Sequence, residues 1–200
     1  MKLRAVVGHY KRAHRHHVTE ELAWFRSQRS FRVAVEIAAN ALTKSGTRHS
    51  HQYRIRSEPM RKACEALAAS LSALEASTSF EELHEVVSRA VLPIPGIGEL
   101  YAYDTSVRIG AYLGLAPHLI YLHRGTRVGA SRLGFETRAR PHLTLDEVLK
   151  LAPEFTELSP GEIEDVLCLY KDYFAGRNAI RANCFETRSG CGSQAIKPPC

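Results

Sequence analysis

Asp104 is the side chain with the most chemistry open to it. It stands in Tyr103-Asp104-Thr105-Ser106-Val107-Arg108, where it either pairs with Arg108 four residues on along a helix surface or serves as a reacting carboxylate. In the second role a carboxylate stabilises positive charge developing in a transition state, or activates a water. Just ahead lies Pro93-Ile94-Pro95-Gly96-Ile97-Gly98-Glu99-Leu100-Tyr101-Ala102. Pro95 sets a turn, and Gly96 and Gly98 allow the backbone to approach a ligand closely. The N–H groups that follow, at a helix start, suit a phosphate oxygen. A plain Pro-Gly turn between two helices is the competing reading. Lys171, among Leu167, Tyr170, Tyr173 and Phe174, has apolar surroundings of the kind that make an amine nucleophilic, with a structural or surface lysine as the alternative.

Two segments are dense in groups that contact nucleic acid. In Arg48-His49-Ser50-His51-Gln52-Tyr53-Arg54-Ile55-Arg56, Gln52 suits a base edge, Tyr53, His49 and His51 can stack on an extruded base, and Arg54 suits a phosphate. A solvated basic loop is the alternative. Tyr121-Leu122-His123-Arg124-Gly125-Thr126-Arg127 offers His123 and Arg124 in the same way, although a histidine after an apolar run also reads as a packed residue with one hydrogen bond.

The glycine turn resembles the helix-hairpin-helix that grips the DNA backbone without reading sequence. Tyr103-Asp104-Thr105-Ser106-Val107-Arg108-Ile109-Gly110-Ala111-Tyr112-Leu113-Gly114 resembles the Asp-Thr-x-Val-x-Arg…Leu-Gly segment of the helix-hairpin-helix DNA glycosylases. Together the matches cover residues 93–114 of 200. The resemblance implies a catalytic Asp104 at a helix start beside a flipped base, with Gly96, Ile97, Gly98 and Arg108 on the DNA backbone. Arg108 stands one position earlier than in the family. Five residues separate Gly98 from Asp104 where the family has roughly a further helix, so either the hairpin helix is cut short or one match is accidental. The family's Schiff-base lysine has no counterpart in the hairpin's second helix, which carries Glu99. The expectation is a monofunctional glycosylase that leaves an abasic site, acting on a damaged or modified base such as a hypermodified phage cytosine. The alternatives are a non-catalytic helix-hairpin-helix DNA-binding module in repair or recombination, and an all-α enzyme of nucleotides or RNA.

The same resemblance bears on the cysteines. Cys184, Cys191 and Cys200 match positions one, two and four of the run that holds an iron–sulfur cluster in many glycosylases, but Gln194 takes the third. One iron would lack a cysteine ligand, so no cofactor is expected. Nor is a metal: His14, His16 and His17 read more simply as a basic arm.

Composition agrees with a polyanion partner. Lysine and arginine number 27 against 21 acids, giving a net charge of +6, with the excess concentrated between Lys2 and Lys62. Double-stranded DNA is the expected partner, with salt-dependent binding. No apolar run reaches the ~18 residues of a membrane span, and no secretory signal is evident, so a cytoplasmic monomer is expected. Five cysteines without such a signal do not suggest a disulfide framework.

The elements that must position these groups read as helices. Thr19 caps a helix from Glu20, and Ser30 one carrying Val33, Ile37 and Ala41. Ser57-Glu58-Pro59 opens a helix through Cys64, Leu67, Leu71 and Leu74. Ser79-Phe80-Glu81-Glu82 forms a capping box for another, and Asp104 to Leu113 is helical until Gly114. Leu119–Leu122 is strand or buried helix. Thr144 and Ser159 start the last helices, the latter with Pro160 in its first turn and Ile163, Val166, Leu167 and Tyr170 inward. The expected fold is all-α: one orthogonal bundle of eight to ten helices containing a helix-hairpin-helix, a single domain over 1–200. Its lobes are about 1–78 (basic helices) and 79–182 (hairpin and catalytic helices), with a polar cysteine-containing tail at 183–200.

Overall fold

A computed structural model describes residues 3–175. They form α1 (Leu3–Ala13), α2 (Arg15–Arg26), α3 (Phe31–Ala39), α4 (Ser57–Ala69), α5 (Leu71–Glu75), α6 (Phe80–Val91), α7 (Glu99–Leu113), β1 (Leu119–Tyr121), α8 (Arg124–Arg132), β2 (His142–Thr144), α9 (Leu145–Leu151) and α10 (Pro160–Leu169). The class is all-α. None of these helices is long and apolar enough to cross a membrane. Cys184, Cys191, Gln194 and Cys200 lie outside the described residues.

The described chain divides into two compact units, residues 17–117 and residues 1–16 with 118 onward, rather than at 78/79 as expected. The reason is a shared core. α6 packs on α4 and α7, and Leu83, Val87 and Val91 bury against Met60, Leu67 and Ile109. A cut at residue 78 would split that core.

In the unit of residues 17–117, Ser30 and Ser79 accept the N–H groups of Val33 and Glu82 and so cap α3 and α6, but the expected box at Ser79 does not close, because Glu82 Oε2 accepts from the Thr78 N–H and hydroxyl instead. α2 begins at Arg15, which places Thr19 inside the helix instead of at its cap. Ser70 separates α4 from α5, breaking the helix expected to run through Leu74. After α3 the chain turns out through Ala41, held at φ 53, a left-handed conformation that costs a non-glycine residue about 1–2 kcal/mol. The loop that follows is tied down: Leu42 bridges Arg48, and the Arg48 guanidinium donates to the Ile55 carbonyl at 3.1 Å.

In the other unit α1 packs inward, and the expected basic arm of His14, His16 and His17 begins only after it, with His16 and His17 in the first turn of α2. Tyr10 is fully buried and donates to Asp165 at 2.8 Å, His9 Nδ1 meets the Tyr170 hydroxyl at 2.6 Å, and Lys11 pairs with Glu157. The Leu119–Leu122 run supplies β1, antiparallel to β2 with Ile120 opposite Leu143. Thr144 and Ser159 both form capping boxes, with Glu147 and Glu162, as their spacing predicts. Val166, Leu167 and Tyr170 of the last segment are buried.

α8 and α10 meet backbone to backbone at Gly129, where an added Cβ would stand 1.9 Å from the Leu167 carbonyl oxygen. No flexible side chain is there to move aside. Gly129→Ala is therefore expected to destabilise this unit by about 3 kcal/mol or more, read as a lowered urea midpoint, whereas Gly46→Ala, where the added Cβ meets nothing within 4 Å, loses only the smaller backbone term of its φ of 77.

Candidate functional site

α7 is one unbroken helix from Glu99 to Leu113. The helix that follows the glycine turn and the helix of Asp104 are thus the same element, and Asp104 lies well inside it instead of at a start. Six residues from Gly98 to Asp104 amount to about 9 Å along the axis. The turn before α7 has Gly96 at φ 94, with Pro59 packed against it. Gly98 is the N-cap and offers no side-chain cap, while Ile97 is buried and anchors the turn in the core.

Asp104 and Arg108, one turn apart, take separate partners. Asp104 Oδ2 lies 2.6 Å from His51 Nε2 and accepts from Gln52 Nε2 at 2.9 Å. Gln52 Oε1 accepts from Arg108 at 2.9 Å, so one amide bridges the two charged residues and its orientation is fixed. Arg108 Nε donates to Glu21 Oε1 at 3.0 Å. His49 Nε2 stands 3.2 Å from that same oxygen, close enough for charge attraction though poorly aligned for a hydrogen bond. Burial alone would raise the Glu21 pKa, but the His49 ring and the Arg108 guanidinium outweigh it and hold the carboxyl at about 2.

The network sorts the expected site residues. Arg108 is 4% exposed and Gln52 1%, both committed to interior partners. Neither is placed to touch a phosphate or a base edge; they position Asp104 and Glu21. The Asp104 and His51 side chains keep 18% and 22% of their surface open to solvent. Tyr53 and Arg54 stand at the surface, the guanidinium 5.5 Å over the ring. Glu21 and His49 also line an open cleft of about 670 Å³ with Trp24, Glu20, His17, Thr43 and Lys44. Sequence reading missed Glu21 as a site residue because it looked like part of a helix's first turn.

In the other unit, Arg124 is exposed, whereas His123 is buried as the N-cap of α8. Its Nε2 meets Glu164 and lies 2.7 Å from the Thr126 hydroxyl; Cys168 lies close by. The i,i+4 spacing of Glu164 and Cys168 beside the apolar stripe of α10 was a legible signal for this cluster. Lys171 sits just past α10, its ammonium donating to the Cys168 carbonyl at 3.2 Å.

No family model, curated protein or solved structure matches the chain. The Asp104 network therefore stands on its own geometry.

A low Glu21 pKa is a statement about acid stability. Its stabilising contribution is full above the ordinary value of 4.5 and is lost as pH falls through that value toward about 2. Glu21→Gln is expected to flatten the decline of unfolding free energy between those pH values. At pH 7 it should cost about 2 kcal/mol by leaving Arg108 with one charged partner fewer. Urea melts across a pH series read both effects, and an unchanged acid slope would refute the assignment.

Proposed function

We propose that this protein is a monofunctional DNA glycosylase of the helix-hairpin-helix type, which extrudes one nucleotide from duplex DNA and hydrolyses its base–sugar bond. The observation that carries the reading is the Asp104 carboxylate, aimed by His51 and Gln52 and partly open to solvent, on the helix that begins at the Gly96–Gly98 turn. Cleaving an N-glycosidic bond builds positive charge on the sugar. A carboxylate held in place beforehand stabilises that charge without reorganising, and takes the proton of the attacking water. The N–H groups at the start of α7 grip a phosphate. Tyr53 and Arg54, exposed on the loop that also supplies His51 and Gln52, add a stacking face and a cation.

The substrate is a damaged or modified base. A bulky base such as a hypermodified phage cytosine is favoured by the resemblance of the 93–114 segment to the glycosylases, while the cleft of about 670 Å³ beside Glu21 and His49 is lined by Trp24 and not by Asp104. The protein acts as a cytoplasmic monomer on this reading.

Duplexes containing uracil, 8-oxoguanine, alkylated bases or glucosylated hydroxymethylcytosine test the activity. Free base appears by mass spectrometry and strand breaks only after alkali. Asp104→Asn is expected to lower base release by about 10²–10³-fold or more while leaving DNA affinity nearly unchanged. Full activity in that variant would sink the mechanism. Tight, salt-sensitive binding without release from any substrate would instead leave a non-catalytic binding module.

Gly98→Val probes the grip separately. A Cβ added at Gly98 meets nothing within 4 Å, so the substitution starts from open space. The variant should bind all sequences alike more weakly, with a reduced salt slope.

A further inference from the structure

We propose that His123, Glu164 and Cys168 form a buried binding site for a divalent transition metal, zinc by preference, that fastens α8 to α10. An imidazole, a carboxylate and a thiol each bring one ligand atom to within 4.8 Å of the other two, and all three residues are buried. Glu164 and Cys168 are four residues apart on one face of α10, while His123 caps α8. The helices are pressed together at Gly129, which fixes the donors relative to one another.

Gly125 lets the thiol and the ring approach the backbone closely: a Cβ there would lie 2.7 Å from Cys168 Sγ and 3.3 Å from His123 Cε1, so any side chain would push the donors apart. The Thr126 hydroxyl donates to Glu164 Oε1 at 2.5 Å, the kind of outer partner that orients a ligating carboxylate. A His–Glu–Thr hydrogen-bond cluster would account for those three residues alone, but not for the thiol beside them or the glycine that makes room for it.

The chemistry balances. Zinc takes Cys168 as thiolate, Glu164 as carboxylate and His123 as neutral imidazole, and the thiol proton leaves to solvent. Two negative ligands neutralise the dication, so the filled site carries no net charge into the interior. Tetrahedral zinc holds such donors about 3.3–3.6 Å apart. The His123–Glu164 contact opens to admit the ion, the sulfur closes on it, and the imidazole yields its long bond from the Gly125 N–H, 3.2 Å. A water completes the coordination. The site does not depend on base-release chemistry.

The test uses the full chain with Cys184, Cys191 and Cys200 changed to serine, so that tail thiols contribute nothing. Equilibrium dialysis against zinc should give about one ion per chain. Cobalt substitution should give a four-coordinate visible spectrum with a sulfur-to-metal charge-transfer band. Cys168→Ser should remove that band, Cys64→Ser should leave it, Glu164→Gln should weaken zinc binding at least tenfold, and Thr126→Val about tenfold. Should the Cys168 or Glu164 variants not fold, X-ray absorption on the zinc-loaded parent decides: one sulfur with nitrogen and oxygen neighbours supports the site. A parent that binds no zinc, or whose bound metal has no sulfur neighbour, overturns it.

Discussion

A buried guanidinium is the constraint on which the Asp104 site depends. Taking such a charge out of water costs several kcal/mol unless it is paired and its donors are satisfied. α7 carries Arg108 into the core, and the surroundings answer with Glu21 from α2 and the Gln52 carbonyl from the loop. Each answer has a further effect. Glu21, held ionised, draws His49 to it. Gln52, its oxygen committed to Arg108, must direct its N–H groups the other way, toward Asp104. The carboxylate's direction is thus set by a cation one helical turn away that does not touch it.

This chain of cause explains what was legible in sequence. Signals that act over three or four residues were read well: Ser30, Ser79, Thr144 and Ser159 cap their helices, and Gly114 closes α7 in a left-handed conformation. Thr19 failed because a cap residue carries no weight once the helix has begun upstream at Arg15. The helix expected through Leu74 broke at Ser70 although its apolar spacing continues across the break. Strand β1 was ambiguous because three residues are too few to show alternation, and its partner arrives only at His142.

The site residues were legible by identity but not by role. Asp104, His51, Gln52 and Arg108 were all singled out, and all four fall in one network. The roles of Gln52 and Arg108 nevertheless turned from outward contact to inward support, because nothing local says which polar side chain will be buried. The i,i+4 spacing of Asp104 and Arg108 suggested a surface pair. Partners more than fifty residues away in sequence replaced it. His123 shows the same pattern: the apolar run before it marked a packed histidine, while Thr126 and Glu164 show what it packs against.

The anchoring of α1 bears on the order of events during synthesis. Tyr10, His9 and Lys11 find Asp165, Tyr170 and Glu157 across 155, 161 and 146 positions of sequence. At about 5–20 residues per second, the ribosome delivers those partners roughly 7–32 s after α1 itself. Residues 17–117 emerge complete in the interval and can collapse around their own core. Val6, Val7 and Tyr10, buried in the finished fold, have nothing from 118 onward to cover them until then. For that period the nascent chain carries an uncovered apolar stripe on α1, a natural point of capture for a holdase.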